Sequence, residues 1–290
     1  MTSYHSEIVV IGGGVCGLWL LAALRNSGRN AILIERDTLG GQQTLASQGM
    51  IHGGIKYALG GFTTPSSETI ASMPARWKAC MAGDDLVNLA GVGVLSNDYY
   101  LFSDERLSSR ITAFFGSRSL RGRISPVDRM NYPALFANDS FKGTLYRLED
   151  IVVDTGALLE KFAADYGAFI FKGAPQPHFD TGGNVSSLEL DSFSVTADHY
   201  VFTAGAGNQA LLETQDVAMQ QRPLKQVMLT HPALPETYAH AVSAGAGAKP
   251  RVTITTHWLS DGAPVWYLGG NLAETGVNRS DEAQIDAAKH

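Results

Sequence analysis

Four consecutive apolar positions, Ile8-Val9-Val10-Ile11, read as a buried strand and run without a polar break into Gly12-Gly13-Gly14-Val15-Cys16-Gly17. Leu18, Leu21, Ala22 and Leu24 then recur at helical spacing, and Gly28 closes that helix. A second apolar strand, residues 31–34, ends on Glu35. Further along, the pattern predicts a helix over about 67–81. Pro74 breaks or restarts it, and Ile70, Met73, Trp77 and Cys80 share one side. Residues 92–102 are strand material with a hairpin turn at Ser96-Asn97-Asp98, residues 107–115 a helix, 125–135 a proline-punctuated connection and 143–146 a short strand.

The strand–helix alternation then returns. Asp154 or Thr155 caps a helix that places Leu158, Leu159, Phe162 and Tyr166 on one face and stops at Gly167. Residues 168–171 follow as a strand, and 185–190 pairs with 194–196 across Asp191-Ser192. Residues 199–203 form another strand running into Ala204-Gly205-Ala206-Gly207, with a helix over 208–212. Three more strands are expected at 227–230, 251–256 and 265–268. Near the end, Ser280 is an N-cap with Asp281 and Glu282 in the first turn of a helix of about two turns.

Gly12, Gly14 and Gly17 satisfy G-x-G-x-x-G between a strand and a helix, and Glu35 lies 18 residues past Gly17 (35 − 17). Each part has a physical role in holding a dinucleotide. The first glycine permits the tight turn, the second lets backbone approach a pyrophosphate, and the third packs the helix on the sheet. The helix's amino end supplies N–H groups and positive dipole, and the acid receives a ribose hydroxyl. The motif leaves open which dinucleotide binds.

Composition narrows the classes. Hydrophobic residues make up 44% and charged residues 17%, which supplies a sizeable core and argues against disorder. Net charge is −6 without a long basic run, which argues against nucleic acid as a partner. Cys16 and Cys80 make neither a disulfide framework nor a metal set, and Cys16 is read as a small packing residue. The histidines show no paired metal-ligand spacing, so no metal is expected. Neither a signal-peptide pattern nor a run of membrane-span length is present, which makes the cytoplasm the expected compartment.

The chain resembles the FAD-dependent oxidoreductases of the D-amino-acid oxidase superfamily, nearest to the L-2-hydroxyglutarate oxidase and glycerol-3-phosphate dehydrogenase branches. Three separated segments carry the likeness: Gly12 to Gly17 with Glu35-Arg36; Ser47-Gln-Gly-Met-Ile-His-Gly-Gly-Ile-Lys-Tyr57; and Gly143-Thr-Leu-Tyr, Asp154-Thr-Gly-Ala-Leu-Leu and Tyr200-Val-Phe-Thr-Ala-Gly-Ala-Gly-Asn. The resemblance implies an α/β (α+β) fold. A Rossmann-like FAD-binding domain (1–75 and 146–222) would be interleaved with a β-rich substrate or cap domain (76–145 and 223–290). It implies that Gly12, Gly14 and Gly17 face the pyrophosphate, with Val15 and Cys16 also among the cofactor-binding residues, Glu35 at the ribose and Arg36 at the adenine end. Ser47, Gln48 and Gly49 would line the flavin side, His52, Gly53 and Gly54 would sit near the ring, and Ala204 and Gly205 would close on the cofactor. Members of the family continue into a final glycine-rich strand and helix, so a C-terminal flavin-binding segment is expected to be missing from a chain ending at His290.

The reaction implied is hydride removal from the amine- or hydroxyl-bearing carbon of a small hydroxy acid, amino acid or polyol phosphate, with oxygen, a quinone or another group accepting the electrons. His52 is the catalytic base candidate, because imidazole titrates near neutrality. Tyr57 is a pocket candidate, with a core aromatic as the alternative. Lys56, Arg147, Lys225 and Arg251 are cations for an anionic substrate, or surface charges. Trp266-Tyr267 faces a pocket or one-sided core. Two other readings stand beside this one: a nicotinamide-dependent dehydrogenase, and a non-catalytic or truncated dinucleotide-binding protein.

Overall fold

The computed structural model describes residues 2–54, 70–103, 124–242 and 250–290. They divide into two compact units, the first Met1–Ser47, Lys78–Gly93 and Asp154–Gln221, the second Gln48–Trp77, Val94–Val153 and Arg222–His290. The expected helix over 107–115 lies outside the described residues. The fold is α/β.

The first unit is built on β1 (Thr2–Ile11), β2 (Ala31–Glu35), β9 (Ile170–Lys172), β10 (Gln176–Phe179), β11 (Val185–Glu189) and β12 (Phe193–Phe202), in the order β10-β11-β12-β1-β2-β9. β12, β1, β2 and β9 run parallel, and β10 and β11 form an antiparallel arm. Val9, Val10, Leu33 and Ile34 are fully enclosed, which explains their unbroken apolar runs: strands covered on both faces have no polar side. Helix α1 (Val15–Asn26) buries Gly17, Leu18, Leu21 and Ala22. Helix α4 (Thr155–Tyr166) buries the predicted face, Leu158, Leu159, Phe162 and Tyr166, and packs on α1, with the Tyr166 hydroxyl donating to Asn26 Oδ1 at 2.9 Å. Asp154 caps α4 by accepting the Ala157 N–H at 3.0 Å.

Two expectations change here. Residues 194–196 and 199–203 are one strand, β12, because the polar start of β1 pairs with it from Thr2↔Phe193 onward and carries it past the exposed Asp198. Residues 167–169 form a 3₁₀ turn, so β9 starts only at Ile170.

The second unit holds a seven-stranded sheet and a three-stranded one. The larger comprises β5 (Tyr99–Ser103), β6 (Ile124–Pro126), β7 (Thr144–Leu148), β13 (Val227–Thr230), β14 (Tyr238–Val242), β15 (Val252–Trp258) and β16 (Pro264–Gly269), in the order β13-β16-β15-β14-β5-β7-β6. The smaller is β3 (Met50–Ile51), β8 (Ile151–Val153) and β4 (Val94–Ser96), with β8 central. Tyr99, Leu101, Tyr146, Leu148, Val152 and Tyr238 form a core cluster between them.

The hairpin expected at Ser96-Asn97-Asp98 is absent. β4 pairs with β8 while β5 pairs with β14 and β7, so the turn passes the chain from one sheet to the other. The Ser96 hydroxyl shapes that turn by donating to the Asp98 carbonyl at 2.6 Å.

Helix α3 (Met73–Ala82) carries Pro74 in its first turn, where a missing N–H costs nothing. Helices α6 (Asn271–Gly276) and α7 (Asp281–Lys289) end the chain, with Ser280 capping α7 through the Ala283 N–H. Among the described residues the two remaining α-helices are short: α2 (Gln43–Ala46) and α5 (Asn208–Leu211). Among the described residues no helix is long and apolar enough to cross a membrane, and no cluster of three or more His, Cys, Asp or Glu is placed to hold a metal.

Candidate functional site

The first unit gathers Gly12, Gly14, Val15, Cys16, Gly17, Glu35, Ala204 and Gly205 around the amino end of α1. Gly12 adopts φ +108°, and a Cβ there would lie 2.5 Å from Ala204 Cα. Thr203 seals this approach, its hydroxyl reaching the carbonyls of Ile11 (3.0 Å) and Gly12 (2.9 Å). A Cβ on Gly17 would stand 2.0 Å from the Gly12 carbonyl oxygen, and one on Gly13 would stand 2.6 Å from Leu39 Cδ2. The protein's own packing therefore demands glycine at 12 and 17, where the obstacle is backbone, while at 13 it is the movable end of the Leu39 side chain.

Gly14 is different. It is the N-cap of α1 with φ −74° and ψ 174°, a conformation open to any residue. A Cβ there would meet only Thr44 Oγ1, at an ordinary 3.5 Å. Packing at 14 therefore leaves room for a side chain, and what the fold itself gains from glycine there is a modest N-cap preference. Helix α1 has no side-chain cap and no acid in its first turn, which leaves its positive end aimed outward. Its first N–H, Val15, donates to the buried Thr44 hydroxyl at 3.0 Å.

Glu35 closes the other side of the loop. One carboxylate oxygen accepts the Gly13 N–H at 2.6 Å and the other the Asp37 N–H at 2.9 Å. Each oxygen keeps a lone pair for a hydroxyl. Arg36 is exposed beside it, and Ser47 donates to the Thr44 carbonyl at 2.8 Å. Gly205, at φ +55°, lies over Gln43, and Ala204 donates its N–H to Asn208 Oδ1 at 2.9 Å. Cys16 corrects the sequence reading: it is exposed on the first turn of α1, because the inward positions there belong to Gly17 and Leu18.

The second unit holds Gln48, Gly49, His52, Gly53 and Gly54. Gln48 is a strut: its side-chain nitrogen donates to the carbonyls of Tyr267 (2.8 Å) and Thr253 (3.2 Å) and to Thr255 Oγ1 (3.3 Å). Gly49 is buried and accepts the Val153 N–H at 2.9 Å. His52 is half-buried, and the Gly53 N–H donates to Asp150 Oδ1 at 2.8 Å. Gly54 turns the chain at φ +76°. Tyr57 and Lys56 lie outside the described residues.

The other candidate cations have partners of their own. Arg147 faces Asp98 at 3.5 Å, Lys225 holds Asp281 at 2.7 Å, and Arg251 donates to the His290 carbonyl at 2.6 Å. Trp266 donates its ring N–H to the Pro235 carbonyl at 2.9 Å and packs in a core cluster. Gly13, Thr44 and Asp150 were not singled out by sequence reasoning. Only Gly13, inside the glycine run, carried a local signal; the other two matter through partners 29 and 97 residues away.

Comparison with known proteins gives a consistent result. A family model described as FAD dependent oxidoreductase matches residues 7–288. A probable FAD-dependent oxidoreductase of Pseudomonas aeruginosa is 43% identical over 288 residues, covering 98% of this chain and 73% of its own. The crystal structure of an FAD dependent oxidoreductase from that organism superposes with a TM-score of 0.83 at 37% identity, covering 100% of this chain and 72% of that one. Glycine oxidase of Bacillus subtilis is 25% identical over 213 residues, covering 69% of this chain and 54% of its own.

Proposed function

The chain belongs to the FAD-dependent oxidoreductase family, and from that premise we propose that it oxidises the amine-bearing carbon of a small amino acid or related amine. It is an enzyme and FAD is its cofactor, which sets aside the nicotinamide-dependent and non-catalytic readings. The residues present fit that cofactor, and the observation that carries the fit is Gly14, open to a side chain yet glycine, at a helix end whose N-cap residue supplies no side-chain cap. The ADP half is assigned to the first unit: Gly12, Gly14, Val15, Cys16 and Gly17 at the pyrophosphate, Glu35 at the ribose, Arg36 at the adenine, with Ala204 and Gly205 closing over it. Ser47, Gln48 and Gly49 are assigned to the flavin side, and His52, Gly53 and Gly54 to the neighbourhood of the ring.

FAD, when bound, supplies the hydride acceptor. The chain's part is to present the substrate carbon, exclude water and manage the proton. In this reading an imidazole nitrogen of His52 takes the proton released from the substrate's nitrogen. Tyr57 is assigned to the substrate pocket. The likeness to glycine oxidase supports an amine over a hydroxyl substrate. A second reading, a hydroxy acid or polyol phosphate, rests on the resemblance of the three motif segments together to the L-2-hydroxyglutarate oxidase and glycerol-3-phosphate dehydrogenase branches.

The test is direct. Purified, FAD-loaded protein is mixed anaerobically with glycine, N-methylated and bulkier amino acids, and separately with hydroxy acids and polyol phosphates. Bleaching of the flavin absorbance by an amine is expected. Bleaching by hydroxy compounds alone replaces the first reading with the second, and a flavin that no member of either set reduces overturns both.

A further inference from the structure

Asp150 occupies the two-residue link between β7 and β8, a place where a carboxylate ordinarily faces water, and its neighbour Glu149 does so. Asp150 is only 2% exposed. Burial of a carboxylate is unfavourable unless hydrogen bonds hold it, and one of its oxygens accepts the Gly53 N–H at 2.8 Å. The placement follows from register. β3 and β8 pair antiparallel as Met50↔Val152 and Ile51↔Ile151, and the Val153 N–H reaches the Gly49 carbonyl at one end. Continuing that register by one residue sets His52 opposite Asp150. There the backbone ladder stops and the Asp150 side chain takes over, receiving the next N–H before Gly54 turns away at φ +76°.

We propose that Asp150 is the positioning residue of the His52–Gly53–Gly54 turn, extending the β3–β8 ladder by one side-chain bond so that His52 is held at a set height and direction for the coenzyme ring. The proposal rests on the functional reading above, in which this turn neighbours the flavin. Asp150 acts through the Gly53 amide and touches neither substrate nor coenzyme. What the turn requires is an acceptor oxygen at that point, and a side chain of equal shape that keeps the oxygen meets the requirement. The carboxylate also lies close enough to the buried Tyr99 for its charge to disfavour the phenolate there, the smaller effect beside burial itself.

The experiment compares wild type, Asp150→Asn and Asp150→Ala in the full chain. Amide hydrogen exchange is followed at Gly53 without FAD, and the visible circular dichroism of bound flavin with FAD. Expected results are slow Gly53 exchange and one dichroic spectrum shared by wild type and Asp150→Asn. Asp150→Ala should exchange at Gly53 at least tenfold faster and show an altered flavin band. An Asp150→Ala spectrum identical to wild type, or Asp150→Asn as impaired as Asp150→Ala, overturns the proposal while leaving the FAD reading intact. Should Asp150→Ala fail to fold, rapid Gly53 exchange in the wild type overturns it alone. Wild-type protein that takes up no FAD overturns the FAD reading, and with it this role for Asp150.

Discussion

Gly14 and Gly17 sit three residues apart in one motif, and their substitutions should fail in opposite ways. A Cβ on Gly17 would stand 2.0 Å from the Gly12 carbonyl oxygen, against the 3.4 Å at which ordinary contact begins. Backbone cannot swing aside as a side chain can, so Gly17→Ala meets the upper part of the overpacking range, about 3 kcal/mol. The gain in helix propensity returns about 1 kcal/mol. The balance, about 2 kcal/mol, lowers the melting temperature by about 3 °C for a protein of this size. Gly14→Ala costs up to about 1 kcal/mol at an N-cap and recovers about 0.4–1 kcal/mol through the less flexible unfolded chain. Its melting temperature without FAD should barely move. Gly14→Val adds bulk where the coenzyme approaches, and loss of one charge-assisted backbone bond is worth about 1.5–3 kcal/mol. That corresponds to roughly 10- to 150-fold weaker FAD binding. Deflavinated proteins are melted without FAD, then titrated with FAD while flavin fluorescence is followed. Gly14→Val that binds FAD like wild type, or that melts as low as Gly17→Ala without it, refutes the assignment of this helix end to the pyrophosphate.

Further outcomes follow from the same structure. His52→Ala should retain FAD yet lose about 10²- to 10⁴-fold in the rate of flavin bleaching by substrate; an unchanged rate removes His52 as the base. Gln48→Ala removes the three hydrogen bonds that this side chain donates to β15 and β16, so it should cost about 1–3 kcal/mol, read as a lower denaturation midpoint in urea. Asp281 is held below the usual carboxylate range by hydrogen bonding to Lys225 and by its charge. Its contribution is therefore complete above its ordinary value of 3.8 and fades as pH falls through the lowered one. Acid titration of helicity should lose part of its slope in Asp281→Asn, and a superimposable titration would show that this pair contributes nothing.

How much could be read from the chain depended on where each residue's partner lies. The β1–α1–β2 unit was legible because its signals are local: an apolar run, a glycine cluster, a helical repeat, a second apolar run. The predicted face of α4 and its Asp154 cap were legible for the same reason. Extents were lost where pairing is remote. Polar Thr2 to Glu7 carry no apolar strand pattern, yet they are strand because β12, almost two hundred residues later, supplies the ladder. β14 carries small residues and a buried histidine in the middle of a sheet, so neither alternation nor branching announced it. The turn at Ser96-Asn97-Asp98 was visible as a turn, but a turn does not specify whether its two strands pair with each other.

The coenzyme motif shows the same limit at finer scale. In sequence, Gly12, Gly13, Gly14 and Gly17 are one kind of symbol, and spacing alone assigned ligand roles to three of them. Packing sorts them differently: 12 and 17 are glycine because Ala204 and the Gly12 carbonyl leave no room, and a side chain at 13 would first have to displace Leu39. Positions 12 and 17 would remain glycine in a protein that had lost its coenzyme, since the fold requires them. Gly14 has no such requirement, and its Cβ direction is open to all but Thr44. Of the four, it is therefore the position whose identity reports on the ligand, and the one at which substitution separates binding from folding.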